Sequence, residues 1–203
     1  MNAIYKLIEP YSDHPRETPE YVDKMFHRIP DASVVNREEF ILERCKGKRV
    51  VNFGSSSGPL HGRLKTVTAE LTGVDKAGDP DLKIDLDDEH YDLQVLPGAE
   101  VYVCGEIIEH LIAPGFFLRR LKWHMKHKGL DGAELVLTVP NAMGLVFSTY
   151  AKRAIEVVNR DHVAWYSYTT LKTLLEKCGF ELKEWHWYNG RPLFAEGLVV
   201  VAV

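Results

Sequence analysis

The chain has 203 residues, 45% hydrophobic and 27% charged, the balance of an ordinary soluble domain with enough apolar material for one sizeable core. Its formal net charge of −4 argues against a dedicated nucleic-acid binder, no apolar run reaches membrane-spanning length, and MNAIYKLIEP lacks a signal-peptide core. Cys45, Cys104 and Cys178 are odd in number, far apart and set in apolar patterns, so they read as reduced, packed thiols of a cytoplasmic protein.

The expectation is a single domain over residues 1–203, with an N-terminal cap over 1–33 and an α/β core over 34–203. The cap carries Pro10, Pro15, Pro19 and Pro30 among charges, with one short amphipathic piece over 21–29. Residues 36–47 read as a helix: Asn36 can cap it, Glu39 is placed for a capping box, and Gly47 ends it. VVNFGSSSG, residues 50–58, then runs from a buried strand through small residues into a helical pattern at Leu60, Arg63, Leu64 and Val67. Such a turn exposes backbone N–H groups to a ligand, and its glycines let the backbone approach closely.

The apolar run AELTGVD ends on Asp75, about 20 residues after Gly54, the spacing at which an acid can grip ribose hydroxyls. The two elements together imply a nucleoside-containing ligand at the carboxyl edge of a parallel sheet. DLKIDLDD reads as a third short strand ending near Asp85 and Leu86, and 91–97 as a short helix or a connection. AEVYVC at 99–104 is a fourth strand, 116–128 a helix, and ELVLTVP at 134–140 a fifth strand. Residues 142–157 look helical and amphipathic. Ser167 caps a further helix with a Leu171, Leu174, Leu175, Cys178 stripe, closed by Gly179. Two last strands, 180–188 and 197–203, have a link too short for a crossover and should pair antiparallel. This order predicts a Rossmann-like, doubly wound, mostly parallel seven-stranded sheet with an antiparallel C-terminal hairpin.

From about Arg49 onward the pattern resembles the class I S-adenosylmethionine-dependent methyltransferases, in particular their small-molecule and quinone-type O-methyltransferases. VVNFGSSSG stands at that family's glycine-rich first motif, LTGVD at its second and IDLDD at its adenine-facing third. CGEIIEHL stands after the fourth strand, LVLTVPN at the fifth, and DHVAWYSYTTLKTLLEKCGFE at the approach to the last helix. The resemblance implies S-adenosyl-L-methionine as cofactor and a small-molecule methyl acceptor, taking the methyl on oxygen or nitrogen. It implies a cofactor site of Asn52, Gly54, Ser55, Ser56, Gly58, Asp75, Lys76, Asp85, Leu86 and Glu106. Asp75 would hold the ribose diol, Asp85 and the Leu86 N–H would face the adenine, and Glu106 would sit by the methionine end. No metal ligands are implied, and no motif fixes the oligomeric state.

Two positions depart from the family pattern. Asn52 stands where an acid is usual and brings no charge toward the ammonium group. Ser56 stands where a second glycine is usual, and costs about 1 kcal/mol or more if the turn holds it at positive φ. A non-catalytic methyltransferase-fold subunit, or a nucleoside-binding protein with a degenerate cofactor loop, is therefore the alternative. A nicotinamide-dependent dehydrogenase fits less well, since no GxGxxG is present.

For a hydroxyl acceptor a base is needed, and His162 is the candidate, because its segment overhangs the methyl group in this fold. His110 reads as structural, and His124 with His127 lacks a third metal ligand. Arg119, Arg120, Lys122, Lys126 and Lys128 have no acid among them. Such a run is a solvated helix face or, more sharply, a contact for a phosphate-bearing or nucleic-acid acceptor.

Overall fold

Val50, Val51, Asn52 and Phe53 are all buried, with no alternation, as expected for a strand covered on both faces. The computed structural model describes residues 29–203, apart from Ser57, Glu89, Asp131 and Leu193. The strands are β1 (Val34–Val35), β2 (Arg49–Phe53), β3 (Glu70–Asp75), β4 (Leu82–Lys83), β5 (Val101–Gly105), β6 (Glu134–Pro140), β7 (Leu182–Tyr188) and β8 (Gly197–Ala202). The helices are α1 (Arg37–Cys45), α2 (Leu60–Leu64), α3 (Pro114–His127), α4 (Leu145–Ala151) and α5 (Tyr168–Lys177).

The strands form one sheet in the order β1-β7-β8-β6-β5-β2-β3-β4. β8 runs antiparallel to both β6 and β7, and the other pairings are parallel. The chain leaves β2 toward β3 and β4, then returns to the other side of β2 as β5. That reversal splays the loops after β2 and β5 apart and opens a crevice at their carboxyl ends. Ile41 and Cys45 of α1 and Leu60 and Leu64 of α2 pack on Val50, Val101, Val103, Val136, Val199 and Val201 of the sheet. Arg44 ties α1 to the sheet through Glu134 (3.0 Å) and through Glu184.

The expected architecture holds, with three local differences. The sheet has an eighth strand, because the Trp187 N–H donates to Ser33 O and the Asn189 N–H to Val35 O, drawing the chain before α1 onto β7. β4 stops at Lys83, where the Asp85 side chain turns to accept the Asp87 N–H (3.1 Å). Within 91–97, expected as a short helix or a connection, a 3₁₀ turn forms over Leu93–Val95, capped by Asp92. The helix expected over 142–157 is confined to Leu145–Ala151. Asn141 Oδ1 binds the Met143 N–H, the Ala142 N–H is bound to Tyr166 O, and Ala154 takes φ 54°. Asn36 caps α1 by accepting the Glu39 N–H, without the return bond from the Glu39 side chain that a capping box needs, and Ser167 makes a capping box with Thr170. Ala32–Val203 is one compact unit. The expected cap lies, over 1–28, outside the described residues. Cys45, Cys104 and Cys178 are buried and unpaired, and no helix among the described residues is long and apolar enough to cross a membrane.

Candidate functional site

A cleft of about 590 Å³ opens at the carboxyl ends of β2, β3 and β5. Seven of the sequence-predicted cofactor residues line it: Gly54, Ser56, Asp75, Lys76, Asp85, Leu86 and Glu106. Val74, Ile84, Ile107 and Leu111 give it apolar walls suited to a flat heterocycle. Asp75 accepts the Ser56 N–H (2.9 Å) on Oδ2 and the Ala77 N–H (3.0 Å) on Oδ1. It thereby locks the loop after β2 to the loop after β3, and each oxygen keeps a second lone pair for a hydroxyl donor.

The other three predicted cofactor residues lie off the cleft wall. Asn52 is 2% exposed and turns to the His61 ring (3.2 Å). Ser55 is buried against Gly73, and its hydroxyl has no hydrogen-bond partner among the described residues. Gly58 is exposed at φ +72°, with open space around it.

The strain expected at Ser56 is absent. The described non-glycine residues at positive φ are Glu106, Ala154 and Asn189. Ser56 instead donates its hydroxyl to Ala77 O (2.6 Å), a bond that glycine could not make. Gly54 does need to be glycine: φ is +75°, and a Cβ there would meet Ile107 Cδ1 at 2.3 Å.

Glu106 carries the backbone outlier nearest the chemistry, φ 56°. Its Oε1 accepts the Thr138 hydroxyl (2.9 Å) and the Tyr188 hydroxyl (3.0 Å), with Arg37 Nη1 at 3.9 Å. Tyr188 reaches it because its ring packs on β8 where Gly197 leaves room; a Cβ there would lie 2.3 Å from the ring. Burial raises the Glu106 pKa, opposed by the two hydroxyls and Arg37. Glu106 also borders a second, polar cavity of about 480 Å³, whose walls include Arg37, Arg63, Tyr188 and Glu196. Arg37 and Tyr188 carry no motif signal; only the fold brings them to Glu106.

A second cluster begins on the cleft wall at His110. Glu109, His110 and His162 place one potential metal-ligand atom each within 4.8 Å of one another. Glu109 is 1% exposed, and neither of its oxygens has a hydrogen-bond partner among the described residues. Burial, and then the Glu106 charge, push its pKa up to about 8. The His110 and His162 rings meet edge to face, and the Val163 and Ala164 N–H groups donate to Glu109 O (2.8 and 3.1 Å), which fixes the two segments together. His110 lines the cleft together with Asp161. His162 lines a small adjoining pocket of about 90 Å³ with Phe147, Trp165 and Tyr166, and burial lowers its pKa. Once deprotonated, this carboxyl beside two imidazoles is a donor set suited to a divalent transition metal or to magnesium completed by oxygen ligands. Sequence reading named no metal ligands; the signal was the Glu109–His110 pair, whose third member is far along the chain.

No protein-family model matches the chain, and no curated protein matches it in sequence. Solved structures do. Small RNA methyltransferase HEN1 superposes with a TM-score of 0.59 at 17% identity, over 87% of this chain and 26% of that one. The chain thus spans about a quarter of HEN1. An S-adenosylmethionine-dependent methyltransferase from Archaeoglobus fulgidus gives 0.58 at 18% identity, over 81% of this chain and 93% of that one. Magnesium protoporphyrin IX methyltransferase from Synechocystis PCC 6803, with S-adenosylhomocysteine bound, gives 0.56 at 13% identity, over 82% and 81%. The chain has the fold of the S-adenosylmethionine-dependent methyltransferases. The seven strands expected from the sequence lie in the order β4-β3-β2-β5-β6-β8-β7, and β1 is added at the edge beside β7.

Proposed function

We propose that this protein transfers the methyl group of S-adenosylmethionine to a hydroxyl oxygen held at Glu109, His110 and His162 with the help of a divalent cation. The observation that carries this reading is the buried carboxyl of Glu109, without a hydrogen-bond partner among the described residues, with two imidazoles beside it, one of them on the wall of the nucleoside cleft. Asp75 takes the ribose diol, and Ile84, Leu86, Ile107 and Leu111 sandwich the adenine. Glu106 takes the ammonium of the amino-acid end in place of the missing acid at Asn52, and Arg37 takes its carboxylate.

The reaction is an in-line displacement: the acceptor oxygen bonds to the methyl carbon, the carbon–sulfur bond breaks with its electron pair passing to sulfur, S-adenosylhomocysteine leaves, and the hydroxyl proton passes to water. Positioning is the main task of the protein. A cation at the cluster would fix the acceptor oxygen and lower its pKa. His162, expected as the base, then serves as a ligand with its ring set by His110.

The small-molecule acceptor implied by the sequence fits Phe147 and Trp165, which flank His162 in the adjoining pocket. A hydroxyl of RNA is the second reading. The likeness to HEN1, a small RNA methyltransferase, supports it, as do exposed Lys152, Arg153 and Arg160 in the segment leading to His162. The test is transfer of labelled methyl from S-adenosylmethionine to a panel of catechols and short RNAs, with EDTA and with added Mg²⁺ or Mn²⁺. Cation-dependent labelling of one class is expected. Labelling unaffected by EDTA would remove the cation and return His162 to the role of base, and cofactor binding without turnover would favour the non-catalytic subunit.

A further inference from the structure

The basic run singled out in the sequence plays no part in the cleft. It lies on α3, which buries Phe117, Leu118, Leu121, His124 and Met125. Its outward side carries Phe116 (41% exposed) and Trp123 (47%), and Ile112, 81% exposed, stands in the bend just before the helix. The seven-residue spacing, two helical turns, puts Phe116 and Trp123 in one line, a ridge along the helix, with Ile112 exposed at its N-terminal approach. Large apolar groups set in a line with cations beside them are the composition of a docking surface. Arg119, Arg120, Lys122, Lys126 and Lys128 supply five positive charges with no acid over 114–128, in a chain whose net charge is −4.

We propose that this face of α3 docks an acidic amphipathic helix of a partner protein. Charge complementarity sets the sign: an apolar ridge flanked by Glu or Asp would lie on Ile112, Phe116 and Trp123 and meet Arg119 and Lys126. A second copy of α3 would set cations against cations. A single-stranded nucleic acid would want open aromatic faces for its bases. Here the Trp123 ring is already stacked on His127 at 3.7 Å, and Phe116 lies under the Arg120 guanidinium (5.1 Å) and against Tyr91. Ile112, the most exposed of the three, offers no stacking surface. The ridge adjoins the cleft, since the Ile112 N–H donates to Asp87 Oδ1 (2.8 Å), and Asp87 and Leu111 line the cleft wall.

The probe is a fluorescein-labelled helical peptide of about 18 residues, with a Leu ridge flanked by Glu. It is compared with a scramble of the same composition, with oligo(U), and with phosphatidylserine vesicles. Saturable binding of the ordered peptide, at least about tenfold tighter than the scramble, is expected. Trp123→Ala and Ile112→Ser should each weaken it about tenfold, and Lys126→Glu should weaken it and flatten its salt dependence. All three positions are exposed, and unchanged thermal melting shows that each variant is folded. Equal binding of ordered and scrambled peptides, or no binding of either, overturns the proposal. Tighter binding of oligo(U) or vesicles, lost in the same variants, replaces the acidic helix with that partner.

Discussion

The rings of His110 and His162 stand edge to face with centroids 4.5 Å apart, one just after β5 and the other in the stretch between α4 and α5. Two backbone hydrogen bonds from Val163 and Ala164 to Glu109 O hold this meeting point in place. The pair is therefore built into the main chain and does not depend on side-chain chance.

Glu109 sits under that pair as a buried acid without a hydrogen-bond partner among the described residues. Removing its ionisable group relieves a burial penalty, so Glu109→Gln should raise the stability of the cation-free protein by about 1–3 kcal/mol. The same variant should lose about 10²-fold or more of cation-dependent methyl transfer. Urea denaturation in EDTA checks the first effect. A destabilised variant would mean that Glu109 has a structural partner.

Ser56→Gly tests the loop. With no positive φ to relieve, the substitution removes the Ser56 hydroxyl bond to Ala77 O and loosens the clasp that Asp75 makes with both loops. A loss of about 0.5–1.5 kcal/mol in stability is expected, with weaker binding of S-adenosylhomocysteine. Calorimetry showing equal or tighter binding would restore the strain that the sequence suggested.

The contrast between Ser56 and Gly54 shows what the sequence carries. Periodicity and turn residues located the long strands, the capped helices and the acid at Asp75, because these are local signals. Gly54 is legible for the same reason. The short strands β1 and β4 were missed or overextended because two-residue pairings are set by neighbours and not by propensity. Arg37 and Tyr188 reach Glu106 from two distant segments, so their convergence follows only from the order of the sheet, whereas His162 was named from the segment it belongs to. Asn52 has a family position but turns away to His61, which no spacing reveals.

Gly54→Ala places a methyl group where Ile107 Cδ1 already sits, in a backbone conformation that resists a side chain. It should destabilise the protein by about 1–3 kcal/mol and abolish nucleoside binding. Ile107→Ala in the same chain should recover part of the packing loss and none of the φ cost. Denaturation of the single and double variants separates the two contributions.

His124 gives a pH signature. It is 1% exposed, its ring nitrogen lies 3.1 Å from the Tyr102 hydroxyl, and burial lowers its pKa below 6.5. Above 6.5 the ring is neutral folded or unfolded, and its contribution is fully present. As pH falls through 6.5 the unfolded chain binds the proton first, so stability is lost down to the folded pKa and then levels off. His124→Gln should flatten this part of the stability profile, as read from thermal melts between about pH 7 and 5. An unchanged slope would place the titration elsewhere.

The last prediction separates the two ends of the cofactor. Arg37 Nη1 lies 3.9 Å from Glu106 Oε1 and faces the polar cavity that Glu106 shares with the nucleoside cleft. Glu106 Oε1 is taken by two hydroxyls, and Oε2 accepts no hydrogen bond among the described residues, so an ammonium group can dock there. Arg37→Gln keeps a polar side chain at the start of α1 and removes the charge. It should weaken S-adenosylhomocysteine by about 1–3 kcal/mol, the value of a charge-assisted bond, and leave 5′-methylthioadenosine, which lacks the amino-acid end, unchanged. Asp75→Ala should instead weaken both ligands by a similar amount, because both carry the ribose. Equal losses for the two ligands in Arg37→Gln would show that Arg37 only supports the fold at Glu106, and the amino-acid end would then lie elsewhere on the cleft wall.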